Sequence, residues 1–287
     1  MKKIYMKLYE SLEIGDDHPT IIMGVLNLSP ESFYKGSIYD DLSQMKTAAL
    51  QMINNGATIL DLGARSTAPW SNKITIEEEI RRFTPAMENL CKIIPKHIII
   101  SVDTQFSQVA HKAYKISKKY DKKIIINDVS CLKTDPKLKN FIIENEIPII
   151  IMASKKLPGD LLTIEEITKE FSLTIKDLVQ KGYNETNIIL DPGIGHWIEE
   201  KTHIYDIKII HNLSKLRSLN KPILVAISRK SFIATTLDKP DPNDRLDGTL
   251  SATSIAVFNG AHIVRTHDVN EQLLDIVKMA REIRINY

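Results

Sequence analysis

At 287 residues with a formal net charge of +2, the chain is long enough for one large barrel domain. Its even charge leaves no whole-chain footprint for nucleic acid, although a local basic pocket stays open. Two cysteines, Cys91 and Cys131, are too few for a disulfide framework. No apolar stretch reaches the ~18–20 residues of a membrane span, and residues 1–5 carry no signal-peptide core, so a cytoplasmic location is expected. The chain is rich in Ile and Lys, and its 11 glycines are roughly half the average share. A thermophilic source or AT-rich coding would each produce that bias.

The first twenty residues alternate weakly and end in the turn signal Asp16-Asp17-His18-Pro19, which predicts a short strand pair capping a barrel bottom. A strand over 20–26 follows, then a loop with Pro30 and Gly36, then a helix over 42–54 stopped by Asn55-Gly56. A strand over 57–62 leads through a loop around Pro69 to a helix ending near Ile93, with Thr75 as cap and Glu77-Glu78-Glu79 as acidic first turn. Strands are predicted over 97–102, 123–127, 148–152, 187–190, 222–227 and 261–265. Between and after them, helices are predicted over 106–118, 136–144, 164–181, 202–217, 244–259 and 270–284, with an irregular insert around Pro240 and Pro242. The basic run 118–123 reads as a solvent-facing helix terminus, with nucleic-acid binding as the weaker reading. The expected architecture is α/β: a single (β/α)8 TIM barrel over residues 1–287 with a short N-terminal β extension.

Polar residues recur where the apolar runs end. Asn27 closes the first, and Asp61 lies in the second, followed by Arg65, Ser66 and Thr67. Asp103, Asn127 and Asp191 close later runs, Ser228-Arg229-Lys230 follows 222–227, and Arg265 and His267 follow 261–264. Side chains at the C-terminal ends of barrel strands converge on one mouth, so this order predicts an enzyme.

Four segments carry a family resemblance: Asn27-Leu28-Ser29-Pro30-Glu31-Ser32-Phe33, Gly63-Ala64-Arg65-Ser66-Thr67-Ala68-Pro69, Asp191-Pro192-Gly193-Ile194-Gly195 and Ser228-Arg229-Lys230-Ser231-Phe232. Each follows the expected strand, and together, across 20–269, they resemble the dihydropteroate synthase family of pterin-binding barrels. The resemblance implies condensation of a dihydropterin-methyl diphosphate with an aromatic amine, usually p-aminobenzoate, with loss of diphosphate. It implies Asp191, Asp103, Asn127 and Lys230 at the pterin, where a carboxylate can accept two parallel bonds from a guanidine-like edge. It implies Asn27 at Mg²⁺ and the diphosphate, with Arg265 and His267 as anion holders, and a reaction in which no side chain acts as nucleophile. Phe33, Arg65, Ser66, Thr67, Pro69, His196 and Ser231 would border the amine. A homodimer through the C-terminal helices is also implied. Read singly, Asp191 and Asp103 could be helix caps, Asn127 a loop anchor, Arg265 a buried ion pair and Cys91 a packed thiol.

The sequence departs from the family near the amine. Ala68 stands where an arginine is usual, and Arg65 where a glutamate is usual. His196-Trp197-Ile198 replaces Phe-Gly-Lys, Ala226 a glycine, and Met152-Ala153-Ser154 a Met-His-Met-like signature. Arg65 reads either as a loop surface charge or as a relocated anion contact. The cluster of changes fits a reshaped acceptor site, such as one for the ribofuranosylaminobenzene phosphate of archaeal tetrahydromethanopterin synthesis. Competing readings are a pterin-dependent methyltransferase domain and a catalytically silent pterin-binding protein.

Overall fold

The computed structural model describes residues 3–29, 41–67 and 71–286. Ten strands and nine α-helices are described. A hairpin, β1 (Tyr5–Leu8) and β2 (Leu12–Gly15), precedes the parallel strands β3 (Ile21–Asn27), β4 (Ile59–Gly63), β5 (Ile99–Asp103) and β6 (Ile124–Asp128). Strands β7 (Ile149–Met152), β8 (Ile188–Asp191), β9 (Leu224–Ala226) and β10 (Ile263–Thr266) complete the sheet. Their order is β8-β7-β6-β5-β4-β3-β10-β9, and a parallel bridge between Leu190 and Ile223 joins the two ends into a barrel. The expected barrel and N-terminal β extension are therefore present.

The strands are apolar on both faces because helices cover one and the barrel lumen the other. Strand periodicity of two sorts the residues. Ile59, Ile99, Ile125, Ile150, Ile189 and Ile263 fill the lumen with Met6, Leu8 and Ile14 of the hairpin, which plugs the bottom. Their neighbours Leu60, Ile100, Ile126, Ile149 and Ile188 pack outward under the helices. Two residues further along five of these lumen rows the side chain turns polar (Asp61, Ser101, Asn127, Asp191 and Arg265), while the Ile150 row continues to Met152. The period that builds the core thus also builds the site. The plug is tied down by Asp16, whose carboxylate accepts both Arg217 terminal nitrogens at 2.7 and 2.9 Å and the Ile4 amide at 2.8 Å.

The helices are α1 (Leu42–Asn54), α2 (Ile76–Ile93), α3 (Ser107–Lys119), α4 (Pro136–Glu144), α5 (Ile164–Gln180), α6 (His203–His211), α7 (Ser231–Leu237), α8 (Leu246–Phe258) and α9 (Glu271–Ile285). Caps fix several starts. Thr75 accepts from the Glu78 amide, and Thr163 with Glu166 forms a capping box. Two expected helices differ. The one predicted over 202–217 ends as an α-helix at His211, because Asn212 and Asn259 side-chain amides take the Lys208, Ile210 and His211 carbonyls; a 3₁₀ segment, Leu213–Leu219, continues it. The one predicted over 244–259 opens as a 3₁₀ turn, Pro242–Arg245, capped by Asp241. No described helix is long and apolar enough to cross a membrane.

Candidate active site

The C-terminal ends of the strands surround a cavity of about 340 Å³. Asn27, Asp103, Asn127, Asp191, Arg265 and His267 line it, as do Arg65, Ser66, Thr67, His196, Lys230 and Ser231. Every predicted site residue within the described residues is therefore at one mouth. Phe33 and Pro69, with Ala68, lie outside the described residues.

One wall is a charge network. Arg265 donates from Nε to Asp61 Oδ2 at 2.6 Å and from a terminal nitrogen to Asp103 Oδ2 at 3.0 Å. Asp61 is fully buried and also receives the Asn127 amide at 3.3 Å. Asn127 Oδ1 is buried with no partner among the described residues, which leaves the carboxamide with an unsatisfied acceptor. Burial, followed by the Asp61 charge, raises the Asp103 pKa, while Arg265 pulls it back. Burial also opposes the charge on Arg265, but Asp61 and Asp103 outweigh it and its pKa rises. Asp103 does not cap the next helix: the Ser107 amide at the start of α3 is taken by Asp135. Asp61 was not assigned a role from sequence, although an acid inside Ile59–Gly63 on a lumen-facing position was the available signal.

The part of the wall contributed by β8 and the loop after β9 centres on Asp191 and Lys230. Asp191 is buried and accepts the Gly193 amide at 2.8 Å, so the turn-capping role coexists with a place at the cavity. Burial raises its pKa and Lys230 counters this. Lys230 donates to the Ile194 carbonyl, and its pKa is lowered to about 8, first by burial, against the pull of Asp191. Its ammonium sits 5.5 Å from the centroid of Trp197, within cation–π range. Trp197 packs against Gly159, where a Cβ would come within 2.2 Å of the indole; only glycine fits. His196 is exposed at the rim, with Nδ1 2.9 Å from the Lys201 carbonyl, so the indole forms the inner aromatic surface. Ala226 sits on the cavity floor.

Arg229 turns away from the cavity. It is a non-glycine residue at φ +55°, held by two bonds to Asp268 (2.7 and 2.9 Å) and by the Pro242 and Asn243 carbonyls. This shapes the loop that presents Lys230. His267 packs its Nδ1 3.0 Å from the Ser228 hydroxyl. Burial, then Arg265, Arg229 and Lys230, lower its pKa to about 3, so its imidazole is neutral at pH 7. Ser231 opens α7, which has only seven residues, so the hydroxyl, more than the helix dipole, is what it offers.

Arg65 is not a loop surface charge. Its Nε meets Glu79 Oε2 at 2.5 Å, its terminal nitrogens donate to the Ile74 and Thr75 carbonyls, and its guanidinium stacks over Phe106 at 4.8 Å. Glu79 is fully buried and also accepts from Thr104. This pairing spans 14 residues and was not read from the sequence. Both cysteines are buried and free, and burial raises each thiol pKa to about 11, which makes both inert at neutral pH.

Residues 23–267 match the family model described as pterin binding enzyme. The chain is 35% identical over 262 residues to the dihydropteroate synthase of Bacillus subtilis, covering 91% of this chain and 87% of that one. Among solved structures, it superposes with a TM-score of 0.84 and 29% identity on a dihydropteroate synthase from Coxiella burnetii in complex with pteroic acid, covering 98% of each chain. It superposes with a TM-score of 0.82 and 25% identity on the Xanthomonas albilineans enzyme with 4-aminobenzoic acid, covering 99% of each. These relatives are bacterial, and the archaeal link drawn above from the altered acceptor loops is not borne out. The chain belongs to the pterin-binding enzymes and, among them, to the dihydropteroate synthases.

Proposed function

We propose that this chain condenses a dihydropterin-methyl diphosphate with p-aminobenzoate and releases diphosphate, a step of folate synthesis. The observation that carries the reading is the buried carboxylate of Asp191 beside Lys230, in one cavity with Arg265 and His267. Asp191 accepts the amino and ring N–H edge of the pterin as a charge-assisted pair. Asn127, with its unpartnered oxygen, accepts from the other edge, and Asp103 completes it. Lys230 donates to the pterin carbonyl side and borders the amine.

In the reaction the methylene C–O bond breaks and its electron pair leaves with the diphosphate. The remaining pterin-methyl cation is stabilised by the ring. The amine nitrogen forms the new C–N bond and then loses its proton. Charge builds on the leaving oxygen, and Arg265 supplies a fixed cation there. His267 is neutral, so it contributes an N–H donor instead of a charge. Its Nδ1 lies within hydrogen-bond distance of the Ser228 hydroxyl, which holds the ring in place. Ser66, Thr67 and Ser231 offer hydroxyls at the amine end, with Trp197 as the aromatic surface.

Mg²⁺ fits this donor set. Mg²⁺ characteristically binds through few protein oxygens plus phosphates and waters. Asn27, on the cavity wall, would be the protein oxygen, with the metal neutralising diphosphate charge when bound. The same reading extends to a homodimer. Ile207, Leu237 and Ile255 are 39, 45 and 52% exposed around one groove between α6, α7 and α8, a face suited to a second copy. Ile255→Asp should shift the mass measured by light scattering from dimer to monomer; an unchanged mass argues against this face.

The test is diphosphate release with p-aminobenzoate and with the phosphorylated ribosyl aniline on one preparation, compared as kcat/KM. Higher kcat/KM for p-aminobenzoate supports the proposal. A clear preference for the phosphorylated amine would instead assign the altered loops to that acceptor. Turnover with neither amine would leave a binding protein.

A further inference from the structure

Ile198 stands where the family pattern has a lysine, and three residues later comes a lysine with no exposed surface, Lys201. Its ammonium donates to the Gly193 carbonyl at 2.6 Å and to the Gly159 carbonyl at 3.4 Å, and lies 3.8 Å from Asp206 Oδ1. Asp206, in the first turn of α6, is also buried. Its Oδ1 accepts the Gly195 amide at 2.8 Å, while Oδ2 has no partner among the described residues. Neither residue lines the cavity. Removing two charges from water is expensive, and an apolar pair of similar volume is often no less stable. Fold stability is therefore a poor account of why these charges are here.

The contacts suggest another account. Gly193 gives its amide to Asp191 and its carbonyl to Lys201. Ile194 gives its carbonyl to Lys230, and Gly195 gives its amide to Asp206. Three consecutive residues are thus gripped from the cavity side by Asp191 and Lys230, and from behind by Lys201 and Asp206. Gly193 has φ +74°, a conformation that glycine alone adopts cheaply and that external bonds must hold in one state. Building on the pterin site proposed above, we infer that the Lys201–Asp206 pair is a positioning device, fixing residues 193–195 so that Asp191 and Lys230 face one pterin. Gly159 brings the loop after β7 under the same grip, because Lys201 holds its carbonyl and Trp197 covers its Cα.

The test is a double-mutant cycle on pterin affinity, read by calorimetry with a hydroxymethylpterin. Lys201→Met keeps length and removes the charge. It should weaken pterin binding roughly tenfold in the parent. In an Asp191→Asn background the same change should cost less than about twofold, because its effect runs through Asp191. An unchanged affinity in the parent, or the same loss in both backgrounds, overturns the inference. Should Lys201→Met fail to fold, Asp206→Asn, nearly isosteric, takes its place in the same cycle with the same outcomes. A parent protein that binds no pterin would refute the reading of the site; normal parent binding untouched by either variant would refute only the positioning role.

Discussion

Arg265 on β10 and Asp61 on β4 are 204 residues apart in sequence and form a 2.6 Å ion pair that reaches past the intervening strand β3, with Asp103 also bound to the guanidinium. The cation proposed for the leaving diphosphate is thereby aimed before substrate arrives, so little reorganisation remains for the reaction.

Arg265→Ala should lower turnover by roughly a hundredfold, the scale for losing one fixed donor at a developing negative charge. Affinity for a hydroxymethylpterin should fall less, by under about tenfold, through the loss of Asp103's partner. Steady-state kinetics beside calorimetry separates the two. Equal losses in both would make Arg265 a pterin-site or structural residue.

The fold was legible because lumen and helix-facing residues alternate in runs such as Ile124–Asp128, and because caps such as Thr75 and stops such as Gly56 bound the helices. The mouth was legible for the same reason: Asp103, Asn127, Asp191 and Arg265 end apolar runs. What was hidden is pairing. Nothing in local pattern ties Asp61 to Arg265, Arg65 to Glu79, or Lys201 to the Gly193 carbonyl, since each contact is made by tertiary folding. The neutrality of His267 was hidden too, because it follows from burial among three cations that only the folded chain assembles.

Asp191→Asn should weaken hydroxymethylpterin binding by roughly tenfold to a hundredfold, from loss of a charge-assisted bidentate contact worth ~1.5–3 kcal/mol. The melting temperature should stay close to the parent's, because asparagine can still accept from Gly193. Unchanged affinity by calorimetry would remove Asp191 from the pterin site.

Lys230 makes activity pH-dependent. Its ammonium, which Asp191 and Asp206 favour and Arg265 and Lys201 oppose, loses its proton as pH rises through about 8. The kcat/KM profile should therefore fall above that pH. Stability moves the other way for this group. Its folded pKa is below the ordinary lysine value of 10.5, so between the two values the unfolded chain binds more protons and the folded state gains with rising pH. Lost activity at pH ~9 with an undiminished melting temperature is the expected pattern. Lys230→Arg should remove the limb from whatever activity remains. A profile for the parent that stays flat through pH ~9.5 would contradict the assignment.

Arg65→Ala should first affect stability. From sequence, with Arg65 read as an anion contact, the same change is expected to alter amine preference. In the fold it strips the partner from a fully buried Glu79, a loss of ~3 kcal/mol on the scale for broken buried pairs. Urea denaturation should show a lower midpoint, while the ratio of kcat/KM for the two amines stays within about twofold of the parent's. A changed ratio with unchanged stability would return Arg65 to the acceptor.

The most direct measurement is product stoichiometry with dihydropterin-methyl diphosphate, p-aminobenzoate and Mg²⁺. Dihydropteroate and diphosphate should appear one for one, and both should collapse together in Asp191→Asn and Arg265→Ala. Pterin bound tightly by the parent protein, with no dihydropteroate formed, would contradict the account.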